Sequence, residues 1–364
     1  MRTERLRVVL REVEPPVVRV IDVPASSTLP ELHELLQSAV GWTDSHLHQF
    51  IAGDVRYGTP DADNELREMD EGSVSLAALP ERFVYLYDFG DGWEHDITKA
   101  GPGDAEPGCV DGQGVCPPED CGGPPGFEHL LKVLADPQHP EHEDIKKWTG
   151  DQLVPFDRTR VDEAVHRTFG EVPPSVRLIL QLMADGVKLT PGGRLPRSLV
   201  REVHAHRPGW APLGRSPSIE DDLPPLAELH DVLRHAGLLR LRTGVLQPTK
   251  AASDDREVVR RLRSWFPPRS FTTMVATRTV AVLTASAPTR IEALAEAVYP
   301  LLGYGWGHRD GRAMTVADVR STIHQLGNIL TALDQLEQAR QLWRAGPAPH
   351  SLFYPVTRLA ALMV

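Results

Sequence analysis

Three cysteines, Cys109, Cys116 and Cys121, fall within thirteen residues in the pattern Cys-x6-Cys-x4-Cys, and His95 lies fourteen positions before the first. Thiolates and an imidazole are zinc ligands, so Cys109, Cys116, Cys121 and His95 form a candidate Cys3His tetrahedron with bonds of about 2.1–2.3 Å. The spacing is not a Cys-x-x-Cys knuckle, and a reduced thiol cluster without metal competes with this reading. A second set is carboxylic. Tyr85-x-Tyr87-Asp88-Phe89-Gly90-Asp91-Gly92-Trp93-Glu94-His95 reads as a strand entering a Gly-rich turn, which holds Asp88, Asp91 and His95 close together. Gly90 and Gly92 permit backbone angles that other residues resist. A Pro/Gly loop, Cys116-Pro117-Pro118-Glu119-Asp120-Cys121-Gly122-Gly123-Pro124-Pro125-Gly126, presents Glu119 and Asp120. Asp88, Asp91, His95, Glu119 and Asp120 are therefore candidates for acid–base work or metal ligation. The competing reading is that these acids cap turns by accepting backbone N–H bonds.

Elements that could position them are legible upstream. Arg5 to Arg11 alternates polar and apolar residues, and Val17 to Val23 is rich in Val and Ile, which predicts a hairpin across Pro15-Pro16. Ser26-Ser27-Thr28, Pro30 and Glu31 mark a helix start, Leu32, Leu35, Leu36 and Val40 give it an apolar stripe, and Gly41 ends it. Leu47 to Gly53 and Arg82 to Asp88 read as further strands. One helix across a mostly antiparallel sheet is an α+β plan.

Together with Gly41-Trp42-x-x-x-His46-Leu47-His48-x-Phe50, the two motifs above resemble the plasmid pRiA4b ORF-3-like family, also labelled as the insertion-element passenger TnpR. The resemblance covers about residues 2–170. It implies an α+β domain linked by name to mobile elements. No serine-recombinase nucleophile context accompanies it, so the resolvase sense of TnpR carries little weight.

The chain has 364 residues and a formal net charge of −11. Residues 1–170 hold 15 Lys+Arg and 33 Asp+Glu, or −18; residues 171–364 hold the remaining 24 and 17, or +7. Gly170-Glu171-Val172-Pro173-Pro174 marks the change of sign. The expected domains are 1–170, then 175–252, then 253–364. The later part predicts a mostly α-helical, winged-helix-like region: helices at Val176–Ala184, Arg197–Ala205 and Leu226–Ala236, then a basic hairpin around Thr243-Gly244. Helices over Arg290–Leu302, from Thr315 and over Ile329–Leu336, with a closing segment Phe353–Leu362, suggest a degenerate second copy.

In residues 171–364, 22 of the 24 basic residues are Arg, the exceptions being Lys188 and Lys250. Arg240 and Arg242 on the wing strand, with Arg256, Arg260, Arg261 and Arg263 after it, are candidate DNA contacts through phosphate. A purely structural or protein-binding role for these arginines is the alternative. No stretch is apolar enough for a membrane span. The first residues lack an apolar signal core, and with three cysteines this points to a reducing cytoplasm. The leading expectation is a non-enzymatic binding or adaptor protein, its acidic part taking a protein partner or ligand and its basic part touching DNA. A metal-dependent, hydrolytic enzyme is the alternative.

Overall fold

The computed structural model describes residues 2–58, 68–212, 216–267, 270–302, 306–308, 310–339, 341–349 and 351–353. The chain divides into two units between Thr168 and Phe169.

In the first unit, β1 (Thr3–Leu10) and β2 (Val18–Pro24) pair antiparallel as a hairpin. Helix α1 (Leu29–Val40) opens on a capping box in which Thr28 N–H donates to the Glu31 carboxylate at 2.8 Å, and it stops at left-handed Gly41. Its apolar stripe, Leu29, Leu32, Leu35 and Leu36, is buried. Strands β3 (His48–Ala52), β4 (Val55–Gly58), β5 (Met69–Asp70), β6 (Arg82–Tyr87), β7 (Trp93–Pro102) and β8 (Gly108–Gln113) complete an eight-stranded sheet. Its order is β5-β4-β3-β6-β7-β1-β2-β8, antiparallel except for β4 with β5. Helices α2 (Gly123–Ala135), α3 (His142–Thr149) and α4 (Arg158–Thr168) follow.

The second unit is mostly helical. Its elements are α5 (Pro174–Leu182), β9 (Val187–Lys188), α6 (Arg197–His206), α7 (Pro224–His235), β10 (Leu239–Arg242) and β11 (Val245–Pro248). Next come α8 (Asp255–Arg263), α9 (Phe271–Ala285), α10 (Ile291–Val298), α11 (Val316–Ala332), β12 (Leu336–Ala339) and β13 (Leu342–Ala345). One order occurs twice: helix, extended segment, helix, helix, hairpin. In the first copy β9 pairs with β11, the second hairpin strand. In the second, Thr289 bridges Trp343 of β13, again the second hairpin strand. One apolar core runs through both copies, with α7 and α11 packed on each other inside it. Asp334, in the turn after α11, accepts from Ser175 N–H at 2.6 Å and Ser175 Oγ at 2.8 Å, which pins the start of α5.

The sequence expectation of two separate helices near Thr315 and over Ile329–Leu336 is corrected. A single helix, α11, runs from Val316 to Ala332, and Leu336 begins a strand. Gly327 sits inside it as a packing residue, because a Cβ there would lie 2.7 Å from the Trp343 ring. Tyr354–Leu362 of the expected closing segment lie outside the described residues. No helix among the described residues is long and apolar enough to cross a membrane.

Candidate functional site

Three loops of the first unit interlock. The loop after α1 carries Trp42, Thr43 and His46; the turn between β6 and β7 carries Asp88 and Asp91; the loop before α2 carries Glu119 and Asp120. Buried Trp42 donates its indole N–H to Pro117 O at 2.8 Å. Glu119 accepts from Thr43 N–H at 3.0 Å and from the Thr43 and Tyr87 hydroxyls. The Tyr87 oxygen in turn accepts from Ser45 N–H at 2.9 Å and His46 N–H at 3.2 Å. Burial and then the Glu119 charge hold the Tyr87 hydroxyl well above the ordinary tyrosine range, so it stays a donor. Asp91 Oδ2 accepts from Gly122 N–H at 3.1 Å, closing the link between turn and third loop.

The lock brings His46, Asp88 and Asp120 together. His46 Nε2 lies 3.5 Å from Asp88 Oδ2 and 3.2 Å from Asp120 Oδ1. Asp88 Oδ1 is occupied elsewhere, accepting from Gly90 N–H at 3.0 Å and Asp91 N–H at 3.3 Å, which turns Oδ2 towards His46. Both aspartates hold left-handed backbone, with φ of 56° at Asp88 and 60° at Asp120. Such angles are uncommon for non-glycine residues and persist where surrounding structure enforces them. Exposed Leu47 and Phe89 flank the site, and Asp88 N–H donates to Leu47 O at 2.9 Å.

A second cluster gathers His33, Asp44 and His48. His33 and His48 stack with ring centroids 3.6 Å apart and planes 8° from parallel. His33 uses both nitrogens, on the Tyr85 hydroxyl at 2.7 Å and Asp44 at 2.8 Å, while His48 Nε2 meets Glu71 at 2.9 Å. Burial and then the neighbouring His33 lower the pKa of His48.

The five expected acid–base residues divide. Asp88 and Asp120 converge. Glu119 and Asp91 are bonded within the lock, where they act as the turn-capping reading describes. His95 is withdrawn: fully buried on β7, it bonds Tyr85 O through Nδ1 at 3.2 Å and meets Trp42 edge to face. His46 was visible only as a motif letter, because its approach depends on the Tyr87 hydroxyl holding its backbone.

The expected Cys3His set is not assembled. Groups of three or more metal-ligating side chains among the described residues contain no cysteine; they are His33, Asp44 and His48, and His46, Asp88 and Asp120. Cys109 is a buried β8 residue paired in register with Ile21. Cys116 Sγ accepts from the Arg19 guanidinium at 2.9 Å, a cation where a metal would need to sit. Burial pushes the Cys109 thiol up to about 11, and burial with the Asp91 charge pushes Cys121 up to about 12.

Burial lowers His95 to about 4. The unfolded chain takes up that proton near pH 6.5 and the folded chain does not, so stability rises with pH between about 4 and 6.5 and levels off above. This linkage is worth roughly 3 kcal/mol, with His48 adding in the same direction. Urea midpoints of the full chain measured across this range are expected to climb with pH, and His95→Gln to flatten the climb by about one proton. An unchanged slope in that variant contradicts the assignment.

In the second unit, Arg240 and Arg242 are exposed and have no ion-pair partner among the described residues. Arg260 and Arg261 both engage Glu257, at 2.7 and 2.5 Å, and Arg261 also donates to Ala236 O and Gly237 O. Arg263 donates to Leu352 O at 3.0 Å, and Arg256 lies over the Phe169 ring at 5.1 Å. The α8 arginines thus have internal partners, while Arg240 and Arg242 on β10 are exposed.

The family profile described as plasmid pRiA4b ORF-3-like protein matches residues 2–165. An uncharacterized protein, y4hQ, of Sinorhizobium fredii (strain NBRC 101917 / NGR234) is 44% identical over 155 residues, which are 40% of this chain and 80% of that protein. A crystal structure of a protein of unknown function, MM3350, from Methanosarcina mazei Go1 is 29% identical, covers 43% of this chain and 96% of its own, and has a TM-score of 0.40. Through the region that carries the interlocked loops, the chain belongs to the plasmid pRiA4b ORF-3-like family.

Proposed function

We propose that this is a DNA-contacting adaptor: the second unit is a pair of winged helices, and the later of the two reads the duplex. The order helix, strand, helix, helix, hairpin is that of a winged helix, and in helix-turn-helix proteins the last helix before the wing enters the major groove. That helix is α7 in the first copy and α11 in the second. The exposed face of α7 carries Glu228, Asp231, Arg234 and His235, two of them acids that repel phosphate. Beyond its first turn, the exposed face of α11 carries Arg320, Ser321, His324, Gln325 and Asn328 and no acid. This acid-free polar face is the observation that carries the reading. Arg reads guanine edges, Asn and Gln read adenine, and Ser bonds either. Arg240 and Arg242 supply phosphate contacts from the first wing, which position without reading sequence.

The test is a salt series on a random-sequence duplex with the full chain. Binding is expected at about 50 mM salt and to weaken steeply by about 200 mM, since each neutralised phosphate contributes a slope of about 0.9 in log–log terms. Arg240→Ala with Arg242→Ala is expected to reduce that slope by about 2. Absence of binding at the lower salt, or affinity indifferent to salt, contradicts the proposal.

A further inference from the structure

We propose that His46, Asp88 and Asp120 form a site for one divalent transition-metal cation of the zinc class. The separations fit a shared ion. Ligand atoms about 2.0–2.1 Å from a tetrahedral zinc lie about 3.3–3.4 Å from each other. His46 Nε2 is 3.5 Å from Asp88 Oδ2 and 3.2 Å from Asp120 Oδ1, and all three ligand atoms lie within 4.8 Å of one another. The second observation is the imidazole nitrogen itself. The His46 side chain is 27% exposed, but its Nε2 atom is shielded from solvent and makes no well-aligned hydrogen bond among the described residues; it faces the two carboxylate oxygens at ion-pair distance instead. A buried polar atom without a partner is costly. A cation placed between nitrogen and oxygens satisfies all three.

The surroundings prepare the ligands. Asp88 is held by two backbone N–H groups on its other oxygen, the His46 backbone by Tyr87, and the Asp120 loop by Glu119. Bonds of this kind to the outer atoms of ligands orient them and raise metal affinity. One imidazole with two carboxylates suits zinc or manganese better than magnesium, which prefers oxygen ligands and keeps its water. Three protein ligands leave a fourth position for water or a ligand donor, the arrangement of zinc sites that remain open. This set is independent of the cysteines and of the DNA reading.

The experiment is zinc titration of chelator-washed full-length protein by calorimetry, repeated with magnesium in excess, with nitrogen NMR of the His46 ring as a second readout. One equivalent of zinc is expected, undisturbed by magnesium, with the His46 Nε2 resonance shifted as for a metal-bound nitrogen. His46→Ala is expected to lower affinity at least about 100-fold. Asp120→Asn alters an exposed side chain and is expected to lower it at least tenfold without unfolding the chain. Cys116→Ser with Cys121→Ser is expected to leave binding intact. No saturable binding in the wild type overturns the proposal. So does binding that survives both His46→Ala and Asp120→Asn, or that is lost only in the cysteine variant. A protonated His46 bridging two aspartates without metal gives the first of these results.

Discussion

Replacing Glu119 by alanine is expected to destabilise the first unit by roughly 2–5 kcal/mol, because three donors, the Thr43 N–H and the Thr43 and Tyr87 hydroxyls, lose their acceptor at once. The Tyr87 hydroxyl and the Thr43 N–H both end on this carboxylate, and Tyr87 is fully buried. Each donor left unsatisfied costs about 1–3 kcal/mol. Glu119→Gln keeps an acceptor oxygen in place and is expected to recover part of the loss. Trp42 and Trp93, buried against each other with ring centroids 5.8 Å apart, report the change by fluorescence during urea unfolding. The loss reaches the proposed metal site as well, since Tyr87 holds the His46 backbone and Glu119 precedes Asp120. A midpoint unchanged in Glu119→Ala shows that the three loops do not depend on this carboxylate.

Gly126→Ala gives the second large effect, and two terms of opposite sign decide it. Gly126 lies inside α2, where alanine is favoured over glycine by about 1 kcal/mol. Against this, a Cβ at Gly126 would sit 1.9 Å from Cys121 O, a backbone atom of the loop bearing Asp120. That oxygen cannot swing aside as a side chain could. Forced overpacking costs about 1–3 kcal/mol and more when backbone must shift. The clash wins, and a net loss of at least about 1–2 kcal/mol is expected in the same urea experiment. Gly92→Ala is the control. Nothing lies within 4 Å of its added Cβ, so only the left-handed φ of 67° costs, about 1 kcal/mol. A neutral or stabilising Gly126→Ala contradicts the close approach of α2 to its preceding loop.

The sheet and its first helix were legible because their signals are local. Thr28, Pro30 and Glu31 announce α1, and the alternation of Arg5 to Arg11 announces β1. The stretch from Trp93 to Pro102 was harder. It alternates buried Trp93, His95 and Ile97 with Glu94, Asp96 and Thr98, but the Gly-rich turn before it drew the reading towards a loop site. The motif alone groups His95 with the carboxylates, whereas strand alternation points it into the core. The cysteines misled for a related reason. Spacing along the chain says nothing of Arg19, which reaches Cys116 from ninety-seven residues away. His46 became a site residue only through Tyr87, forty-one residues on. In the second unit, the first hairpin was announced by Thr243-Gly244, whose φ values of 48° and 79° suit a tight turn. The second hairpin carries no such pair, and the expected helix over Ile329–Leu336 overlaps its first strand, Leu336–Ala339, at Leu336 alone.

The central functional claim is that α11, and not the arginine-rich α8, meets DNA. Two full-length variants separate them: Arg320→Ala with Asn328→Ala on α11, and Arg256→Ala with Arg260→Ala on α8. Each removes two exposed-side polar groups, and the α8 pair removes the larger positive charge. Affinity at about 50 mM salt for a duplex that the wild-type chain selects from a random-sequence pool is the measurement. The α11 variant is expected to bind at least tenfold more weakly, since a base-edge contact is worth about 1–3 kcal/mol. The α8 variant is expected to fall less than about threefold, because its arginines are spent on Glu257 and Phe169. The reverse order, with α8 changes abolishing binding and α11 changes leaving it intact, contradicts the account.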